Sequence, residues 1–272
     1  VSAVRSPDER RHALRFRDEF RDFWRFILRP RLGPRLPSNR LGSGWRVDWT
    51  AGTRLERLLQ WAVCLWLLNM VLFGPLAAMA AGAGGAEHRL DIHDIPWLHA
   101  IIWAPIVEEL VFRYGLRRPA QMLWFWPVAV VCVVLGPIWY AQVLLLLAFL
   151  AMALGPAARG RSLQWDPNQG VVRKLLFGAA WPWSWRKGYI RYFGWWFWGS
   201  TLIFAGVHLY NFSLHKVPYF IWPFLVVPQC FTGLVLGWLR VRHGIGASIL
   251  LHAIFNSGPL LVIFFILSLL SS

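Results

Sequence analysis

The chain is 272 residues long, 57% hydrophobic and only 15% charged, with a mean hydropathy of +0.46. That balance argues against a soluble domain and predicts a polytopic membrane protein. The formal charge of +15 comes from 28 basic against 13 acidic residues, mostly arginines set between apolar runs. This fits topology signals and contact with anionic lipids rather than nucleic-acid binding, for which no folded basic module is present.

Residues 1–56 form an Arg-rich segment expected on the cytoplasmic side. Within it Phe16, Phe20, Phe23, Trp24, Ile27 and Leu28 recur at helical spacing, while Arg11, Arg15, Arg21, Arg25 and Arg29 fall largely elsewhere on the wheel. The spacing predicts an amphipathic helix ending at Pro30. It lies on the inner leaflet against anionic lipids, or packs on other cytosolic segments. Residues 31–54 read as a linker.

Residues 57–272 read as a transmembrane domain. Seven spans are expected, at about 58–81, 97–116, 120–136, 138–155, 194–212, 219–239 and 246–268. Pro75 allows a kink in the first, and Gly136-Pro137 is expected to turn the third into the fourth. The fifth enters through Trp195, Trp196, Phe197 and Trp198, an interfacial aromatic belt. Arg117, Arg118, the basic loop 156–191, Arg240 and Arg242 all fall on the cytoplasmic side of such a bundle. The prediction is an all-α, multi-pass protein of the inner (plasma) membrane with its N-terminus cytoplasmic and its C-terminus outside. Cys64, Cys132 and Cys230 lie in apolar runs without CxxC spacing, so neither disulfides nor a zinc-thiolate site is expected. No cleaved signal peptide is expected near the start.

Ionisable residues inside spans are costly and mark candidate sites. Glu109 and Arg113 are four apart in the second span, in the favourable order for an ion pair. Glu108 is rotated about 100° from Glu109 and points elsewhere. Phe204 and His208 are four apart in the fifth span, and His252 and Asn256 are four apart in the seventh. Gly233 and Gly237 give the sixth a small face for close helix approach. Singly, each pattern also suits plain packing or a structural ion pair. Converging, they make a polar cavity with three chemical uses. A carboxylate and an imidazole can activate water, with a second imidazole and an amide stabilising an oxyanion. Two histidines and a glutamate can hold a metal. The same groups can relay protons. Residue chemistry alone leaves all three open.

At these residues, EELVFR (108–113), FAGVH (204–208) and HAIFN (252–256), the sequence resembles the CAAX-protease and bacteriocin-processing (CPBP or Abi) family of intramembrane glutamate endopeptidases. That family includes the type II CAAX prenyl endopeptidases. The resemblance covers about 97–118 and 193–257, so 119–192 reads as an insertion. Tyr114 stands where many members have glycine. The resemblance implies a protease that cuts a membrane-associated peptide or protein without metal or other cofactor. Glu108 and His208 would activate water, His252 and Asn256 would form the oxyanion hole, and Glu109, Arg113 and Phe204 would support them. The arginine bias suits a GC-rich bacterial genome, where a prenylated substrate is not expected. The alternatives are a non-catalytic immunity or interaction protein of the same family and a proton-coupled transporter. Against the latter, no internal repeat is visible.

Overall fold

In a computed structural model, the structure describes residues 15–36, 48–89, 95–135, 138–154 and 183–270. The predicted turn at Gly136-Pro137, most of the basic loop 156–191, Arg11 and part of the 31–54 linker lie outside these residues.

Helix α1 spans Phe16–Leu28. The next helix runs from Leu55 to Gly84 in two parts, α2 (Leu55–Leu68) and α3 (Gly74–Gly84), joined by a π-turn at Asn69–Phe73. A second π-turn, His99–Trp103, leads into α4 (Ala104–Phe112), and a 3-10 turn follows at Tyr114–Leu116. Each π-turn precedes a proline, Pro75 or Pro105. Proline has no N–H to donate, and the helix widens by one residue just before it. Next come α5 (Pro119–Leu135), α6 (Trp139–Leu154), α7 (Trp183–Arg191) and α8 (Phe193–Val207). The last three helices are α9 (Trp222–Leu225), α10 (Val227–Arg242) and α11 (Ile245–Leu270). A two-residue antiparallel ladder pairs β1 (Glu87–His88) with β2 (Phe212–Ser213) and ties the chain after α3 to the chain after α8.

Among the described residues the fold is therefore all-α apart from this ladder. Among the described residues two helices are long and apolar enough to cross a membrane, Leu55–Gly84 and Ile245–Ile266; Pro119–Cys132 and Trp139–Ala153 are shorter apolar helices. Two such helices fit a membrane-spanning chain by length and composition.

Helix α1 is docked into the bundle. Phe23, Phe26 and Ile27 join a core with residues of α2, α8, α10 and α11. Trp61 of α2 meets Phe16, Phe20, Phe23 and Trp238 at ring-centroid distances of 5.2, 6.0, 5.5 and 5.0 Å. The buried face is rotated from the sequence expectation. Phe26 is inside, whereas Leu28 and Trp24 are 77% and 42% exposed. The polar partners of the dock explain the rotation. Trp61 donates to Glu19 at 3.3 Å. Trp238 and Arg242 donate to Asp22 at 2.8 to 3.1 Å. Arg15, Arg21, Arg25 and Arg29 stay exposed.

A second core joins α4, α5 and α6 with Ile245. Its centre is Tyr114, fully buried, whose hydroxyl donates to Gln121 at 2.7 Å and lies 3.4 Å from the Met152 carbonyl. The two sequence departures noted above are thus physically linked. The residue in the glycine position reaches into the α5–α6 hairpin that reads as the insertion.

Candidate active site

The site is built where α4, α8, α10 and α11 meet. Close approach of α10 to α8 depends on its two glycines. A Cβ on Gly237 would lie 2.8 Å from Phe197, and one on Gly233 would lie 3.0 Å from Phe204 and 3.3 Å from Arg113 Nη2. These contacts are the close helix approach expected of Gly233 and Gly237, and they leave room for the Arg113 head group.

Glu109 is fully buried with both oxygens engaged. Its Oε1 accepts from Arg113 Nη1 at 2.5 Å and from His252 Nδ1 at 2.9 Å, and its Oε2 accepts from the Ser248 hydroxyl. Arg113, itself 1% exposed, also lies over the Phe204 ring, 3.9 Å from its centroid. Two buried charges of opposite sign are tolerable here because each is hydrogen-bonded as well as paired.

The His252 bond fixes a proton. A carboxylate oxygen only accepts, so His252 Nδ1 carries the hydrogen and Nε2 is turned the other way. Nε2 lies 3.6 Å from Glu108 Oε2. That oxygen is buried and has no hydrogen-bond partner among the described residues. His208 follows the same logic at the end of α8. Its Nδ1 donates to the Phe204 carbonyl at 2.8 Å, which leaves Nε2 as the free acceptor. The Phe204 ring links the two imidazoles, 4.7 Å from His208 and 6.1 Å from His252 by centroids.

Asn256 sits one turn beyond His252 and donates from Nδ2 to the Ala100 carbonyl at 3.0 Å. The π-turn explains why that carbonyl is open. Ala104 N–H bonds to His99 rather than Ala100, and the next residue in line for Ala100 is Pro105, which has no N–H.

Glu108, Glu109, Arg113 and His252 are therefore brought together directly. Phe204 packs on Arg113 and His252, and His208 is at the edge. Two of the sequence readings are modified. Spacing pairs Glu109 with Arg113 and turns Glu108 elsewhere, and the resemblance sets Glu108 with His208. In the structure Glu109 also holds His252, and no hydrogen bond or ion pair joins Glu108 to His208 among the described residues. The reason is that Ser248 and His252, four apart on α11, both face Glu109. The possible three-ligand metal set of Glu108, His208 and His252 is not assembled among the described residues either. Sequence reasoning missed Ser248, although its four-residue spacing from His252 was the available signal.

Beside the site, between α4 and α5 on one side and α7 and α8 on the other, lies an apolar cavity of about 860 Å³. Val111, Phe112, Met122, Trp126, Trp196 and Ile203 are among its lining residues. The Ser200 hydroxyl donates to the Phe112 carbonyl at 2.6 Å, joining α8 to the end of α4 at its wall.

Comparison with curated proteins and with solved structures returns no match for either. A family model, type II CAAX prenyl endopeptidase Rce1-like, matches residues 95–258, a stretch holding all three motifs and every residue of the site above. The family is one of proteases, and on this match the chain belongs to the Rce1-like family of type II CAAX prenyl endopeptidases.

Proposed function

We propose that the chain is an intramembrane glutamate endopeptidase that hydrolyses a peptide bond in a membrane-associated substrate. The observation carrying this reading is the opposite surroundings of two adjacent acids. Glu109 is saturated by Arg113, His252 and Ser248, whereas Glu108 keeps a buried oxygen without a hydrogen-bond partner, 3.6 Å from an imidazole nitrogen. A carboxylate so placed takes a proton from water. The resulting hydroxide attacks the substrate carbonyl carbon, and the C–N bond then breaks. The proton held on Glu108 passes to the leaving amine.

The other residues take the parts their bonds leave open. His208 has a free Nε2 lone pair and orients the attacking water with Glu108. His252 is held through Nδ1 by Glu109 and, once protonated on Nε2, donates to the developing oxyanion. Asn256 carries two amide hydrogens, and the one not spent on Ala100 is the second donor. Glu109, Arg113 and Phe204 hold the constellation. No step calls for a metal or cofactor.

The proposed topology is the seven-span one, N-terminus in the cytoplasm and C-terminus outside, in a bacterial inner membrane. Support comes from the arginines. Arg118, Arg240 and Arg242 pair with Asp48 and Asp22 of the N-terminal segment, so these ends lie together, as the positive-inside rule requires. The exposed arginines of α1 face anionic headgroups.

The apolar cavity shares α4 with the site and suits a hydrocarbon chain, as the prenyl substrates in the family's description would carry. We therefore favour a lipid-bearing peptide as substrate over an unmodified one, which reverses the expectation drawn from the arginine bias that a prenylated substrate is absent. The test uses the full chain in proteoliposomes with two quenched fluorescent peptides, one with a farnesylated cysteine three residues from its C-terminus and one without the lipid. Cleavage of the first alone is expected. Cleavage of both at one rate would remove the lipid requirement.

A further inference from the structure

Helix α4, which carries both glutamates, ends at Phe112. The Arg113 and Tyr114 carbonyls just beyond it each accept one backbone N–H in the 3-10 turn, from Leu116 at 3.1 Å and from Arg117 at 3.4 Å, and each keeps a second lone pair. A fully buried side chain from α10 fills both. Arg240 Nε donates to the Arg113 carbonyl at 3.2 Å, and Nη2 donates to the Tyr114 carbonyl at 3.1 Å. The remaining nitrogen, Nη1, bonds to Asp48 at 2.5 Å.

Asp48 is itself fully buried. It also pairs with Arg35, and it accepts from Arg118 Nε at 3.1 Å. Burial alone would raise its carboxyl, but Arg240, Arg35 and Arg118 together hold it well below the usual carboxylate range. The chain around Asp48 is seated closely. A Cβ on Gly246 would come within 2.0 Å of the Trp49 carbonyl, and one on Gly52 within 2.7 Å of the His243 carbonyl. Arg117, just past α4, donates to the Gly33 carbonyl at 2.7 Å.

We propose that Asp48 is a positioning residue for the active site: it orients Arg240, which clamps the end of α4 and so fixes Glu108 relative to His252. The N-terminal segment carrying it lies wholly outside the family match at 95–258 and is on this reading a working part of the catalytic unit. The effect on turnover rests on the proposed protease function. The effect on α4 does not.

The logic is one of geometry. A guanidinium whose three nitrogens are each committed to a different acceptor has a fixed orientation. Without the Asp48 carboxylate, Arg240 is a buried cation with no counter-charge facing Nη1, and the lowest-energy response is to move toward solvent. The Arg113 and Tyr114 carbonyls then keep only the backbone donors of the 3-10 turn, and the end of α4 loosens from α10.

The test compares wild type, Asp48→Asn and the double variant Asp48→Asn/Arg240→Gln, all as full chains in lipid nanodiscs. Three readouts are taken: hydrogen exchange of peptides covering 104–117, thermal midpoint, and kcat and KM on the farnesylated peptide. For Asp48→Asn the expectation is faster exchange confined to 104–117, with kcat lower by on the order of 10²-fold and KM changed less than kcat, because Trp126, Trp196 and Ile203 on other helices still line the cavity while Val111 and Phe112 shift. The double variant removes the unpaired buried cation, so its thermal midpoint recovers while kcat and local exchange do not. A residue that merely stabilises the fold predicts the reverse, with kcat recovering alongside the midpoint, and that result overturns the proposal. So does wild-type exchange over 104–117 in Asp48→Asn. If Asp48→Asn fails to fold, the double variant alone decides on the same criteria. If the wild type leaves the peptide uncut, the proposed substrate or function fails, and the exchange readout still decides the clamp.

Discussion

His252 donates a hydrogen bond from Nδ1 to Glu109 at 2.9 Å and thereby turns Nε2 toward Glu108, 3.6 Å away. One glutamate orients the imidazole that the other faces. The adjacent acids are therefore expected to differ in what their loss does. Glu108→Gln removes the base and keeps the shape, so turnover falls by about 10²- to 10⁴-fold with little change in thermal midpoint. Glu109→Ala strands Arg113 as a buried unpaired cation and costs about 3–5 kcal/mol of stability. Parallel thermal unfolding and peptide cleavage in detergent separate the two.

Asn256 offers a second contrast. Its bond to Ala100 serves a carbonyl that the π-turn and Pro105 leave open. Asn256→Ala is expected to lose about 1 kcal/mol, the low end of the cost of an unsatisfied acceptor because the Ala100 carbonyl is only part-buried, in addition to losing turnover. An oxyanion donor with no structural duty would lower kcat alone. The thermal midpoint of this variant, measured beside its kcat, tells the two apart.

The α8–α10 contact depends on the absence of side chains at two positions. Gly237→Ala places a methyl group 2.8 Å from Phe197, and overpacking of this kind costs about 1–3 kcal/mol. Gly233→Ala presses on Phe204 and Arg113 within the site. It is expected to lower turnover more than its loss of stability accounts for. Measuring both quantities for both variants checks the distinction.

Acid is expected to loosen the α10–α11 turn. Burial pushes His243 down to about 4, with Asp22 opposing and nearby arginines reinforcing. Both its ring nitrogens lack partners among the described residues. The folded state therefore holds it neutral where the unfolded chain, with an ordinary value of 6.5, binds a proton. Its contribution is intact above about pH 6.5. It is lost as pH falls toward 4, by about 3 kcal/mol in all. His243→Phe should flatten the fall in thermal midpoint across that window, while the unmodified chain shows it in full.

Much of this arrangement is legible in the sequence because helices repeat. Four-residue spacing alone pairs Glu109 with Arg113 and places His208 next to Phe204. It also marks Gly233 and Gly237 as a face for close approach. What escapes is set by contacts between distant segments. Asp48 is one polar residue in a Gly- and Arg-rich stretch, and nothing local says that Arg240 lies against it. The docking of α1 turns on Glu19 and Asp22, whose partners Trp61 and Trp238 lie in other helices. The Ala100 carbonyl becomes available only through a π-turn, for which Pro105 was a sign without a register. Tyr114 looks like a departure from a motif until the α5–α6 hairpin is seen packed around it.

The central claim is that Glu108 is the base of a peptidase. Its most direct test is cleavage of the farnesylated peptide by purified wild type and Glu108→Gln in proteoliposomes, each with and without a metal chelator, at matched folded fraction. The account predicts that wild type cuts at the same rate in both conditions and that Glu108→Gln cuts about 10²- to 10⁴-fold more slowly in both. Cleavage by Glu108→Gln at the wild-type rate would contradict it, as would loss of wild-type cleavage on chelation.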